Sequence, residues 1–188
     1  ELGLDMLVVP DARDTGAMRS LVEDHSPILV LGVPTQFMEL VDDEFDTEVI
    51  GISGSAPLAT ETKERFGRAS SGVSQGYGLS EMSPITHFNV RGLLELLTGE
   101  HEDSGYDLPT IGVPVPDTEV KLVDVETGDP IPLERAAREG LEGELFVDGP
   151  QRMQGYLDSD IDPFDDEGFV ATGDVARVDD RGRFYIVD

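Results

Sequence analysis

The chain has 188 residues, 38% of them hydrophobic and 6% aromatic, enough for one well-buried core or two small subdomains at about 100 to 200 residues per domain. Its 40 acidic residues against 13 basic ones give a formal net charge of -27, a field that repels nucleic-acid phosphates and anionic membrane surfaces. Cysteine is absent, so disulfides, thiolate nucleophiles and Cys-based metal sites are excluded; no apolar run has the length of a membrane helix, and a cytoplasmic location is expected.

Glu1 opens neither a signal peptide nor an initiation sequence, so a cut edge is expected there. Asp5 to Pro10 predicts a short buried strand stopped by proline. Thr15 to His25, with Met18, Leu21 and Val22 on one side, predicts a helix capped by Thr15. Ile28 to Val33 has strand length, and Pro34 opens a helix carrying Phe37, Leu40 and Val41. Glu48 to Ile52 is a further strand, running into the loop Ser53 to Pro57, after which Leu58 to Phe66 has helical spacing. Alternating strands and helices predict a layered α/β arrangement. In such folds ligands bind beyond the carboxyl ends of strands, where the Ser53–Pro57 and Gly76–Glu81 loops are expected.

The pattern changes near residue 110. Val113 to Pro116 forms a stiff, turn-rich stretch, and Glu119 to Val123 alternates polar and apolar side chains as a half-buried strand does. Glu144 to Val147 and Arg183 to Val187 repeat the theme, separated by turns at Asp148–Pro150 and Asp179–Gly182. The expectation is an α/β subdomain over residues 1–110, followed over 111–188 by a small β-rich, barrel-like subdomain. The Glu-, Gly- and Asp-rich segment from Gly92 to Asp107 reads as a mobile or inserted loop.

Three short motifs carry possible chemistry. In Ser53-Gly-Ser-Ala-Pro-Leu58, the small Gly54 and Ala56 let a flat ring approach the backbone, although an ordinary strand-to-helix loop has the same composition. In Gln75-Gly-Tyr-Gly-Leu-Ser-Glu-Met82, Tyr77 offers a stacking face, Ser80 a hydroxyl and Glu81 a ligand for a hard cation such as Mg²⁺; a surface Glu beside a packed Tyr is the plainer alternative. In Thr172-Gly-Asp174, Asp174 can accept from two vicinal hydroxyls, or the tripeptide is simply a turn. The three histidines, His25, His87 and His101, lack the spacing of a metal cluster and read as structural or exposed. Val30, Val33, Phe37 and Ile85 are candidates for an apolar wall, with core packing the plainer role.

The order of these motifs is more specific than any one of them. Ser53 to Leu58 resembles the Ser-Gly-Gly-Ala-Pro-Leu motif of the AMP-binding, adenylate-forming superfamily, with Ser55 in place of the commoner second Gly. Gln75 to Glu81 resembles its Gln-Gly-Tyr-Gly-Leu-Thr-Glu motif, with Ser80 in the Thr position. Gly143-Glu-Leu145 with Gly155-Tyr156, and then Thr172-Gly-Asp174, resemble the next two. Ile111 to Pro116 leading to Val120 to Asp124 is also similar to the family, so the resemblance runs through nearly the whole chain.

The resemblance implies an acyl-CoA synthetase that activates a carboxylic acid, a fatty acid by preference, with ATP to an acyl-adenylate, then passes the acyl group to coenzyme A. It implies that Gly54, Ser55, Ala56 and Pro57 line adenine, that Tyr77 stacks on it, and that Ser80 contacts the α-phosphate or the acid. It further implies that Glu81 binds Mg²⁺, that Asp174 holds the ribose of ATP or AMP, and that Asp188 is the hinge between large and small domains. The family's Gly/Ser/Thr-rich phosphate loop and the small C-terminal domain with its catalytic lysine are not in this sequence, and neither Lys63 nor Lys121 has a matching context. A fragment inactive alone, lacking the N-terminal half and C-terminal small domain of its parent, is expected. An enzyme loading an amino or aryl acid onto a carrier thiol and a catalytically inactive adenylate-binding module are the alternatives. With only two lysines among the basic residues, the composition also resembles that of proteins from salt-loving organisms.

Overall fold

The computed structural model describes residues 5–41, 45–89, 110–158 and 160–187. They divide into two compact units, the first ending at Ser74 and the second beginning at Gln75, and each unit has its own apolar core.

The first unit is an α/β layer. Helix α1 (Thr15–His25) is capped by Asp14, whose Oδ1 accepts from Ala17 N at 2.8 Å. The cap is therefore one residue earlier than Thr15, whose hydroxyl instead donates to Glu39 Oε2 at 3.1 Å; a carboxylate at a helix N-terminus also meets the positive end of the dipole. Strand β1 (Leu29–Gly32), helix α2 (Pro34–Leu40), strand β2 (Ile50–Ser53) and helix α3 (Thr60–Arg68) follow as the alternation predicts, with α2 starting on its proline. β1 and β2 pair in parallel from Leu29 opposite Ile50 to Gly32 opposite Ser53, and β2 lies between β1 and the opening of β3 (Gly72–Gly78). Asp5 to Val9 is not a strand: Met6 and Val8 are 83% and 65% exposed, and an apolar run without a pairing neighbour has nothing to hold it extended.

The core of this unit joins Val22, Phe37, Leu40, Val49, Phe66 and Val73, with the rings of Phe37 and Phe66 edge to face at 4.9 Å. Val30 and Phe37 are thus core residues, while Ile85, in the second unit, is 43% exposed.

In the second unit, the rest of β3 pairs antiparallel with β4 (Ile85–Phe88), and β4 with β5 (Val113–Pro114). Strands β6 (Glu119–Val123), β7 (Pro130–Ile131), β8 (Glu142–Asp148), β9 (Val170–Val178) and β10 (Phe184–Ile186) form an antiparallel sheet in the order β10-β9-β8-β6-β7, with helix α4 (Leu133–Glu139) after β7. Ile111 and Gly112 bond to Phe184 at 2.8 to 3.0 Å, tying the lead-in of β5 to β10. Gly143, Leu145 and Val147 are the buried alternate residues of β8, the period-two pattern of a sheet with one covered face. The fold is mixed α/β, and among the described residues the β-rich part is an open sheet with β10 and β7 at its margins rather than a closed barrel. No helix among those residues is long and apolar enough to cross a membrane. The Gly92–Asp107 segment lies outside the described residues.

Gly51 shows how tightly the first core is closed. A Cβ there would stand 2.8 Å from Phe37 Cε1 and 3.1 Å from both Phe66 Cε1 and Val73 Cγ2. Gly51→Ala is expected to destabilise the first unit by about 1–3 kcal/mol through overpacking, read as a lower urea midpoint at unchanged slope.

Candidate functional site

Two of the residues singled out in the sequence meet in the second unit. The Tyr77 hydroxyl donates to Asp174 Oδ2 at 2.5 Å across 97 positions of sequence. The expected loop at Gly76–Gly78 and the expected turn at Thr172–Asp174 both lie in strands. Tyr77 lies in β3, directly opposite His87 on β4. Asp174 lies in β9, where the ladder to β8 is interrupted: Glu144 faces Val175 and Phe146 faces Ala171, leaving Thr172, Gly173 and Asp174 opposite Leu145 alone. Such a bulge re-aims side chains out of the pleat, so the tripeptide acts as a turn would, but inside a strand. Burial, and then the hydrogen bond to Asp174, raise the Tyr77 phenol well above its ordinary range, keeping it a donor throughout the physiological pH range.

Beyond Tyr77 the strand ends in a tight turn. A Cβ on Gly78 would stand 2.9 Å from Ile85 Cα, so only glycine lets β3 pass so close to the return of the chain. Ser80 to Met82 form a single 3₁₀ turn, anchored by Met82, which is fully buried. Ser80 is exposed, and Glu81 is partly exposed. Glu81 Oε1 accepts from the Tyr156 hydroxyl at 2.6 Å, which together with a bond to its own backbone holds the carboxyl below the usual carboxylate range. The 3₁₀ turn thus presents a hydroxyl and a firmly anionic carboxylate side by side.

Two further members of this region are His87, read from the sequence as structural or exposed, and Tyr156, read there only as part of a family motif. His87 is fully buried, its ring edge-on to Tyr77 at 5.8 Å and to Phe184 at 4.9 Å. Its Nδ1 lies 3.0 Å from Thr86 Oγ1, and its Nε2 has no hydrogen-bond partner among the described residues. Burial pushes this imidazole down to about 3, so it is neutral and packs as an aromatic wedge behind Tyr77. The strand period around Tyr77 would have put His87 on the same face, had β4 been recognised.

The Gly54–Pro57 loop belongs to the first unit. It leaves the carboxyl end of β2, with Gly54 N bonded to Gly32 O at 3.1 Å; Gly54 is partly covered, while Ser55, Ala56 and Pro57 are exposed. Ser53, which closes β2, is fully buried, and its hydroxyl has no partner among the described residues. Asp188 lies outside the described residues. Among those residues no group of three or more His, Cys, Asp or Glu forms a metal cage.

Residues 2–157 match the family model of the AMP-binding enzyme. The chain belongs to the AMP-binding enzyme family. It is 32% identical over 197 residues to a long-chain-fatty-acid–CoA ligase of Bacillus subtilis and 33% identical over 198 residues to one of Yersinia pestis, in each case along 100% of this chain and 32% of the relative. Among solved structures, ATP-bound MatB from Rhodopseudomonas palustris is similar at a TM-score of 0.73 and 25% identity, over 96% of this chain and 34% of that one. The chain therefore spans about a third of the length of the relatives it matches.

Family membership gives Ser55 a physical reading. Where the AMP-binding motif commonly has a second glycine, Ser55 has φ +66°, in the left-handed region that side chains disfavour by about 1–2 kcal/mol. Ser55→Gly is expected to keep or raise stability, the strain relief offsetting the greater freedom glycine has when unfolded, whereas Ser55→Val lowers it by about 1–2 kcal/mol; urea unfolding of the two variants checks this.

The neutral His87 gives a pH signature. Its folded value is depressed to about 3, against about 6.5 in the unfolded chain, so between those values the unfolded state binds the extra proton. Its contribution is intact above about pH 6.5 and is lost as pH falls, by at most about 1.4 kcal/mol per unit. His87→Gln is expected to flatten the stability profile between about pH 6.5 and 5, above the range where carboxylates protonate, in urea unfolding followed across that window.

Proposed function

We propose that this chain is the adenylate-binding portion of a longer acid–CoA ligase, which joins a carboxylic acid, most suitably a fatty acid, to AMP from ATP and then to coenzyme A. The observation that carries the reading is the pairing of Tyr77 with Asp174 beside the Ser80–Glu81 turn, in a member of the AMP-binding enzyme family. On this reading the Tyr77 face stacks on adenine and Asp174 accepts from the ribose hydroxyls. Ser80 donates to the α-phosphate or to the acid. Long-chain-fatty-acid–CoA ligases among the relatives support the choice of acid.

Glu81 fits Mg²⁺. It is anionic and partly exposed, and Mg²⁺ is ordinarily held by one or two carboxylates with substrate phosphates and water completing the shell, rather than by an all-protein cage. When bound, the metal would neutralise phosphate charge that otherwise repels the incoming carboxylate. The chain's own residues bind and orient: Tyr77 and Asp174 fix the nucleoside, and the 3₁₀ turn sets the phosphate against Ser80.

In the same reading, residues 1–110 and 111–188 are the two subdomains, Asp188 is the hinge to a small domain, and the protein works in the cytoplasm at high salt. The 188 residues alone are inactive. The test is acid-dependent ATP–pyrophosphate exchange by the full-length polypeptide in high salt, over acids from acetate to long-chain fatty acids, with Glu81→Gln alongside. Exchange with a fatty acid that falls at least about 100-fold in the variant supports the reading. A nucleotide-binding polypeptide without exchange would overturn it.

A further inference from the structure

Glu81 is held from one direction by a single stretch of chain. Tyr156 donates its hydroxyl to Glu81 Oε1 at 2.6 Å, Met153 donates its backbone N–H to the Glu81 carbonyl at 2.7 Å, and Gln151 Nε2 reaches the Ile85 carbonyl at 3.3 Å and Thr118 Oγ1 at 2.8 Å. That stretch is itself fixed at its near end. Arg152 pairs with Asp148 at 3.0 Å, donates to the Gly168 carbonyl and lies over the Phe164 ring at 4.6 Å. The backbone of Glu81 is therefore pinned by a braced segment, and its carboxylate by one phenol.

The bond from Tyr156 is not there to satisfy a buried group. Tyr156 is 46% exposed and Glu81 partly exposed, so water would solvate both at little cost. What the phenol supplies is direction: a long Glu side chain has several rotamers, and one fixed donor on Oε1 selects among them. Donors of this kind orient metal-ligating carboxylates, and their loss typically weakens metal affinity by about 10- to 100-fold.

We propose that Tyr156 is a positioning residue that holds the Glu81 carboxylate by one oxygen and leaves the other for a divalent cation. The proposal rests on the reading of Glu81 as the metal ligand, and the two can fail separately. The probe is Mn²⁺ alone, titrated into the 188-residue chain at high salt, with affinity read from paramagnetic broadening of the NMR signal of the residue 81 side chain and its neighbours. Wild type is expected to broaden there at the lowest Mn²⁺ concentration, Tyr156→Phe to need about ten times more, and Glu81→Gln to lose the preference. Tyr156→Phe added to Glu81→Gln is expected to change nothing further, because the phenol acts only through that carboxylate. The Phe variant removes one exposed hydroxyl, and its unfolding midpoint is compared with that of wild type so that any loss of fold is visible. Equal or tighter Mn²⁺ binding in Tyr156→Phe, with Glu81→Gln impaired, overturns the positioning role and makes Tyr156 a bystander or a mask. Unchanged binding in Glu81→Gln overturns the metal reading itself, and this inference with it.

Discussion

The second unit is organised around one hydrogen bond, from the Tyr77 hydroxyl to Asp174. It closes the longest loop among the candidate site residues, and it needs three separate structures to exist. β3 must hold Tyr77 in register with His87, β9 must be bulged at Thr172–Asp174, and the pairing of Phe184 with Gly112 must bring β10, and β9 beside it, to the lead-in of β5. A charge-assisted bond in a partly covered place is worth more than the same pair in water, and half of a broken pair left there costs the desolvation of the carboxylate. The buried wedge of His87 behind the ring means the Tyr77 face is set by packing as well as by its hydroxyl.

Elements with their own periodicity were legible in the sequence. α1, β1, α2, β2, α3, β6, β8 and β10 all overlap segments whose apolar spacing or flanking Pro and Gly mark them, with β2, α3 and β8 running past the expected bounds by one or two residues. What failed were places where pairing decides. Asp5 to Val9 has the apolar content of a strand and no partner, while Gln75 to Gly78 has the glycines of a loop and is a strand because β4 pairs with it. β9 was hidden because Thr172-Gly-Asp174 reads as a turn, and the bulge that accommodates it depends on β8, far off in sequence. The Tyr77–Asp174 pair was legible as two residues of one expected site, but the bond between them was not, since nothing local to either specifies the other. Tyr156 was visible only as part of a motif, its task depending on a turn 75 positions away.

The charge balance bears on how this unit is held. With 13 cations against 40 acidic residues, each cation has many possible partners, and Lys121, Arg152 and Arg183 in the second unit each meet more than one group. Lys121 lies 2.7 Å from Asp165 and 4.5 Å over the Phe169 ring; Arg177 covers Tyr185, whose hydroxyl in turn donates to Asp179 at 2.9 Å. Arg183 meets the same Asp179 at 2.6 Å, both groups largely covered. Salt weakens long-range repulsion among exposed carboxylates far more than it weakens these covered contacts. High ionic strength therefore shifts the balance toward the folded chain, because the unfavourable part of the electrostatics is the screened part. Low salt does the reverse.

Tyr77–Asp174 and Tyr156–Glu81 are the same chemical pair in two settings. The first is half-buried, with an aromatic wedge behind the phenol, so both partners are fixed and exchanging the bond for water is costly. The second is at the surface, where water replaces the phenol readily and the bond has little value for stability. On the proposed reading, a rigid pair suits a phenol that presents one face to a flat ring. On the same reading, a surface pair suits a carboxylate that keeps one oxygen on the phenol and offers the other to a cation, since the contact sits on the 3₁₀ turn and leaves the strands beneath undisturbed. The braced 149–153 segment keeps the Glu81 backbone in place, so adjustability is confined to one side chain on an otherwise fixed turn.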